Sequence, residues 1–165
     1  GNKKDNYPAQ IKKGIELHRA IDDFTDHHPI TDDSKARLRP KYRKYSGVIV
    51  DLYYDHFLAR NFNQYSEIPL PEFTQRTYAI LLDNQSVLPD QVKEFLPFMI
   101  ERNWLNNYST IEGIGRTLTG LSKRVSFENK MDESVHDLQT DYAIYKNEFH
   151  RFFPQLITFA DGKKM

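Results

Sequence analysis

Histidine and aspartate recur in the segment IKKGIELHRAIDDFTDHH, Ile11 to His28, at spacings that a helix places on one face. Ile11, Ile15, His18 and Asp22 are separated by four, three and four residues and so form one stripe. The stripe opens apolar and ends with an imidazole above a carboxylate. Burying a carboxylate costs on the order of several kcal/mol unless a cation, a metal or a good donor faces it. Asp26 and His27 follow just past the stripe. A second segment repeats the pattern: Val48, Asp51, Leu52, Asp55, Leu58 and Ala59 share a helical face, with His56 at its margin.

Imidazole nitrogen with carboxylate oxygen suits Mn²⁺, Mg²⁺, Fe²⁺ or Zn²⁺, and oxygen-rich sets favour the harder ions. Two facing helices can assemble such a site in a bundle core. A metal there binds water, lowers its pKa and polarises a phosphoryl oxygen, which is hydrolase chemistry. The structural alternative is a set of buried polar pairs, Asp with Arg or Tyr and His with a backbone carbonyl. Any one of these residues fits that alternative equally well; the whole set on two apolar stripes points to a metal, with His18, Asp22, Asp51 and Asp55 facing inward and Asp26 and His56 close by. His27, His136 and His150 lack that context and read as surface or structural residues.

The elements that must position these groups read as all-α, in a single domain spanning residues 1–165. Glycines number only seven, and helical periodicity dominates. A first helix is predicted from Pro8 to near Thr25, ending before His28-Pro29. A second, capped by Thr31 or Asp32, runs to about Tyr45 and is kinked or interrupted by Pro40. Gly47 separates it from a third, Val48 to Arg60. Further helices are predicted over Glu72–Leu82, from Pro89 to about Asn107 with a break at Pro97, from a Ser109–Glu112 capping box to Val125, and from Glu133 to Phe153 with Pro154 bending its continuation. Gly113 and Gly120 would let a neighbour approach closely.

Composition excludes several classes. Hydrophobic residues make up 39% and aromatics 13%, enough for a packed core. The absence of cysteine removes disulfides, thiolate metal sites and thiol nucleophiles, and fits a cytoplasmic protein. No apolar run approaches a membrane span, and GNKKDNYP does not read as a signal peptide. Lys+Arg and Asp+Glu both total 23, which predicts neither a nucleic acid nor a membrane as partner. The exception is local: Lys35, Arg37, Arg39, Lys41, Arg43 and Lys44 crowd together with no acid between them. That run is a solvated face, or a docking surface for an acidic protein or nucleic acid, of which the acidic protein is favoured, with Lys41 and Arg43 as candidate contacts. Arg116, Lys123 and Arg124 could hold a phosphate. No P-loop, dinucleotide fingerprint or nucleophile-elbow serine occurs.

The stretches GIELHRAIDDFTDHHP (Gly14 to Pro29), YSGVIVDLYYDHFLARNF (Tyr45 to Phe62) and WLNNYSTIEGIGRTLTGLSKR (Trp104 to Arg124) together resemble the acyl carrier protein phosphodiesterase family, with DYAIYKNEFHRFFPQL (Asp141 to Leu156) as a looser match. The resemblance covers essentially the whole chain. It implies a divergent relative of the all-helical HD phosphohydrolases, acting in fatty acid biosynthesis. Such an enzyme removes 4′-phosphopantetheine from holo acyl carrier protein with Mn²⁺, or Mg²⁺, as cofactor. Carried over, it marks His18, Asp22, Asp26, Asp51, Asp55 and His56 as the metal set. Asp22 or Asp55 would be the general base, and Arg116 or Arg124 would steady the phosphate. The acidic carrier gives the basic run a partner. One departure concerns the start: the family's pattern has a preceding helical segment with a His and an Asp, whereas this chain begins at Gly1-Asn2, so that segment is expected to be lacking. Two other readings stand beside this one, a hydrolase of small phosphoesters and a helical binding module without catalysis.

Overall fold

A computed structural model describes residues 9–164; Gly1-Asn2, Pro8 and the side chain of Ile11 lie outside the described residues. Among these residues there are nine α-helices and no strand, as the periodicity predicts. In chain order they are α1 (Ala9–Asp26), α2 (Pro29–Tyr42), α3 (Ser46–Arg60), α4 (Leu70–Asp83), α5 (Asp90–Glu101), α6 (Trp104–Asn107), α7 (Ile111–Arg124), α8 (Ser134–Thr140) and α9 (Tyr142–Lys164). None of the described helices is long and apolar enough to cross a membrane. Contacts divide the chain into two compact units, residues 1–50 with 141–165, and residues 51–140, so the middle of α3 passes from one unit to the other.

In the first unit, α1 and α2 both pack on α9. Phe24 of α1 stacks on Phe159 with ring centroids 4.4 Å apart, and Leu38, Tyr42, Tyr145, Phe149 and Phe152 are buried. Phe24 carries the α1 side of this packing, with half-buried Leu17 and Ile21 preceding it at helical spacing. A polar clamp joins α2 to α9. Glu148, nearly fully buried, accepts Arg37 in a two-pronged contact of 2.9 and 3.0 Å and the Ser34 hydroxyl at 2.8 Å, while the Arg37 guanidinium also lies over the Tyr145 ring. The hydrogen bonds to Glu148 are the main cause that raises the Arg37 pKa and keeps it charged.

Helix ends differ from expectation where a side chain supplied an unforeseen cap. The second helix begins at Pro29, earlier than predicted, because the His28 ring accepts the Ile30 N–H at 3.1 Å, and its other nitrogen donates to Gln155. Gly47 separates nothing: it lies in the first turn of α3. The chain instead breaks at Arg43, whose φ of 51° and ψ of −124° belong to glycine's territory. Pro97 leaves α5 intact. The break falls at Asn103, left-handed at φ 50° and ψ 52°, a conformation that asparagine tolerates. Thr110, not Ser109, caps α7, accepting the Gly113 N–H at 3.0 Å. The predicted last long helix is two helices, since the Asp141 carbonyl starts a new ladder to Ile144 and Tyr145. Pro154 sits inside α9.

In the second unit α7 packs on α6 and α8. A Cβ built on Gly113 would lie 1.9 Å from the Asn107 carbonyl oxygen, so this glycine does permit the predicted close approach; Gly120 has open space. We expect Gly113→Ala to cost about 1–3 kcal/mol, since backbone rather than a flexible side chain must yield. Glu148→Ala leaves Arg37 without its buried counter-ion and should cost about 3 kcal/mol. Urea denaturation of both variants checks these values; an unchanged midpoint for either would remove the corresponding contact from the account.

Candidate functional site

The second half of α3, DLYYDHFLAR, is apolar around most of its circumference. Leu52, Tyr53, Tyr54, His56 and Phe57 are all buried, which fixes the rotation of the helix about its axis. What remains open is the side carrying Asp51 and Asp55, four residues apart and therefore neighbours. Solvent reaches Asp55, yet protein crowds it on most sides. Burial, and then the like charge of Asp51, push its carboxyl up to about 7. Tyr108 shares this environment: burial first, then Asp55 and Tyr78, push its phenol up to about 12.

His56 is held from behind. Its Nδ1–H donates to the Tyr108 carbonyl at 2.8 Å, because a carbonyl can only accept, and this tautomer leaves the lone pair on Nε2. Burial lowers its pKa most, the Tyr108 contact opposes that shift, and Arg60 adds to it, so the ring is neutral at pH 7. The segment supplying Tyr108 is pinned in turn. The Tyr78 hydroxyl donates to Asn103 Oδ1 at 3.0 Å and accepts the Leu105 N–H at 3.1 Å. The arrangement therefore holds, on the open side of α3, a carboxyl that gains or loses its proton near neutrality, with a buried neutral imidazole anchoring the helix behind it. Such a carboxyl suits proton transfer to or from water.

The sequence-predicted residues divide between the units. His18, Asp22 and Asp26 lie on α1 in the first, and Asp51, Asp55 and His56 on α3 in the second. His18 and Asp22 pair with one another at 3.2 Å with side chains 75% and 59% exposed. The expected inward stripe is thus corrected: Phe24 turns onto Phe159 of α9, and at this rotation of α1 His18 and Asp22 lie outward. Asp26 is exposed, and its carbonyl accepts Lys35 at 2.9 Å. On α3 the same inversion holds, with Asp51 and Asp55 on the open side and His56 buried. Among the described residues, no three His, Asp or Glu side chains form a group able to hold a metal ion.

The basic candidates are at the surface. Lys41 lies over the Tyr42 ring, and Arg43 is exposed on its strained backbone. Arg116 is exposed, and the Arg124 guanidinium sits 5.8 Å from the centre of the Trp104 ring. Sequence reasoning missed Tyr78, Tyr108 and Arg60. The first two reach Asp55 and His56 only through tertiary packing; Arg60 could have been found as the residue one turn beyond His56.

The raised Asp55 pKa has a measurable consequence. An unfolded chain loses this proton near pH 4, whereas the folded chain keeps it to about pH 7. Across that window the folded state binds more protons, so stability falls as pH rises, and above it the effect is constant. Asp55→Asn removes the slope. Its urea midpoint should exceed that of the parent at pH 8 and approach it near pH 4; coincident midpoints at pH 8 would show that the carboxyl is not perturbed.

Comparison with known proteins bears on what such a site serves. The sequence model of the acyl carrier protein phosphodiesterase family matches residues 1–156. Proteins called acyl carrier protein phosphodiesterase from Enterobacter sp. (strain 638) and Klebsiella pneumoniae (strain 342) are each 31% identical to the chain over 169 residues, covering 100% of it and 86% of their own length. The protein of that description from Escherichia coli O157:H7 is 28% identical over the same span. No solved structure matches. With the family's pattern running through both units and across the Asp51–His56 turn of α3, the chain belongs to the acyl carrier protein phosphodiesterase family.

Proposed function

We propose that this chain hydrolyses the phosphodiester that joins 4′-phosphopantetheine to the serine of holo acyl carrier protein. The observation that carries this reading is the family match over residues 1–156. Water adds to phosphorus, the bond from phosphorus to the serine oxygen breaks, and the serine leaves with a proton as its hydroxyl. Asp55 in its ionised form accepts the proton that the attacking water releases and passes it to the departing serine oxygen, while buried His56, bonded to the Tyr108 carbonyl, fixes the turn of helix that presents Asp55. Arg124 or Arg116 on α7 is the proposed contact to the phosphoryl oxygens. The basic run of α2, with Lys41 and Arg43 at its exposed end, is the proposed docking face for the acidic carrier. Part of that run serves the fold instead, since Lys35 and Arg37 are engaged by Asp26, Asp32 and Glu148.

Descent from the HD phosphohydrolases, a cytoplasmic location and a dependence on Mn²⁺ or Mg²⁺ belong to the same proposal. The described residues do not fit the metal as an assembled cage, and no step above runs through it. His18, Asp22 and Asp26 in one unit and Asp51, Asp55 and His56 in the other are the side chains able to contribute donors. A second reading is a helical module that binds the carrier without cleaving it, with exposed Lys41 and Arg43 as its contacts.

Incubation of holo carrier with the protein and Mn²⁺ should yield carrier with the mass of the apo form, and chelation with EDTA should abolish the conversion. The rate should rise through a limb centred near pH 7 as Asp55 ionises. Asp55→Asn should lower kcat by at least a hundredfold, the scale of a lost general base. Carrier that stays holo under every divalent ion, while still binding, would establish the non-catalytic reading.

A further inference from the structure

Where α3 ends, the chain encloses a cleft of about 440 Å³ within the second unit. Its size falls in the range of small-molecule sites. Ala59 and Arg60 enter it from the last turn of α3, and the loop to α4 supplies the rest. That loop is tied in place: the Gln64, Tyr65 and Ser66 N–H groups donate to the Asn61 and Phe62 carbonyls, and the Ile68 N–H donates to Ser66 Oγ at 3.0 Å. The Phe62 ring is backed by Phe73, with centroids 5.0 Å apart.

The lining has a definite chemical character. Phe62, Ile68 and Leu70 give it apolar surface, and Asn63 offers an amide donor and acceptor. Arg60 and Glu67 contribute one charge of each sign. A polyphosphate would need an array of cations there, so the cleft suits an uncharged chain with amides and branched carbon. Its position is as informative as its lining. Ala59 stands four residues after Asp55, so the two are neighbours on one face, about 6 Å apart along the helix. A substrate with its phosphorus beside Asp55 would have its next atoms at the mouth of the cleft.

We infer that this cleft seats the pantetheine arm of the substrate, with its amides at Asn63 and its dimethyl carbon among Phe62, Ile68 and Leu70. The assignment rests on the hydrolase reading for the identity of the arm, and the volume, lining and register with Asp55 are its own support. Arg60, one turn past His56, stands where the arm joins the phosphate and is a specificity contact for that end.

The test uses two measurements on the full chain. Free pantetheine titrated into ¹⁵N-labelled protein should shift the backbone amides of residues 59–70, and shifts confined to other segments would overturn the assignment. Ala59→Trp, whose indole would obstruct the cleft where it meets α3, should raise KM for holo carrier at least tenfold; an unchanged KM in the folded variant would also overturn it. The titration needs no variant, so a poorly folding Ala59→Trp leaves it decisive. Holo carrier left intact by a protein whose residues 59–70 respond to pantetheine would end the hydrolase reading while upholding the cleft. Turnover without that response would do the opposite.

Discussion

Two carboxylates one turn apart on a helix that is buried on its other sides form the constraint on which the rest depends. A helix free to roll would separate Asp51 and Asp55 from the crowded environment that perturbs Asp55, or bury both at prohibitive cost. It does not roll, because Tyr53, Phe57 and Leu52 are locked in the core and His56 is hydrogen-bonded to the Tyr108 carbonyl. Desolvation, and after it the like charge of Asp51, then act on Asp55 from a fixed geometry, and Asp55 holds its proton to near neutrality. Asp51 and Asp55 are therefore not core residues made tolerable by a counter-ion. They lie on the open edge of a helix buried on its other sides.

That distinction explains what the sequence could and could not reveal. Helical period exposed the all-α architecture and placed most helices within a few residues, because amphipathic spacing is a local signal. It also picked out Asp51, Asp55 and His56 as a set. It misjudged which way they face. On α1 the choice between the His18 stripe and the Leu17, Ile21, Phe24 stripe depends on what α9 offers, and Phe159 lies far away in sequence. Helix ends were misread where the determinant was an unusual cap, His28, or an asparagine in left-handed backbone, Asn103, in place of a proline. Tyr108 and Tyr78 were invisible for the plainer reason that nothing local ties them to Asp55.

The first unit shows how far a charge run can mislead. Six cations in sequence suggest a docking face, but Arg37 is turned onto Glu148 and Tyr145 and Lys35 onto the end of α1. The clamp supplies a buried carboxylate with three charge-assisted or hydroxyl donors, which is how a protein tolerates such a group inside. What is left for a partner is the end of α2 near Arg43, where the backbone is held in a conformation that costs on the order of 1 kcal/mol or more. Strain kept at an exposed arginine is consistent with a position selected for its side chain.

The division of the chain has a consequence for its birth on the ribosome. Residues 51–140 emerge as one uninterrupted block, while the other unit has α1 and α2 made before that block and α9 after it. As synthesis proceeds from the N-terminus, the inserted block can collapse as soon as it clears the exit tunnel. The aromatic face of α1 must meanwhile wait for α9, with Phe24 uncovered until Phe159 is made. In this unit the helices made earlier find their shelter only after the inserted block has been completed.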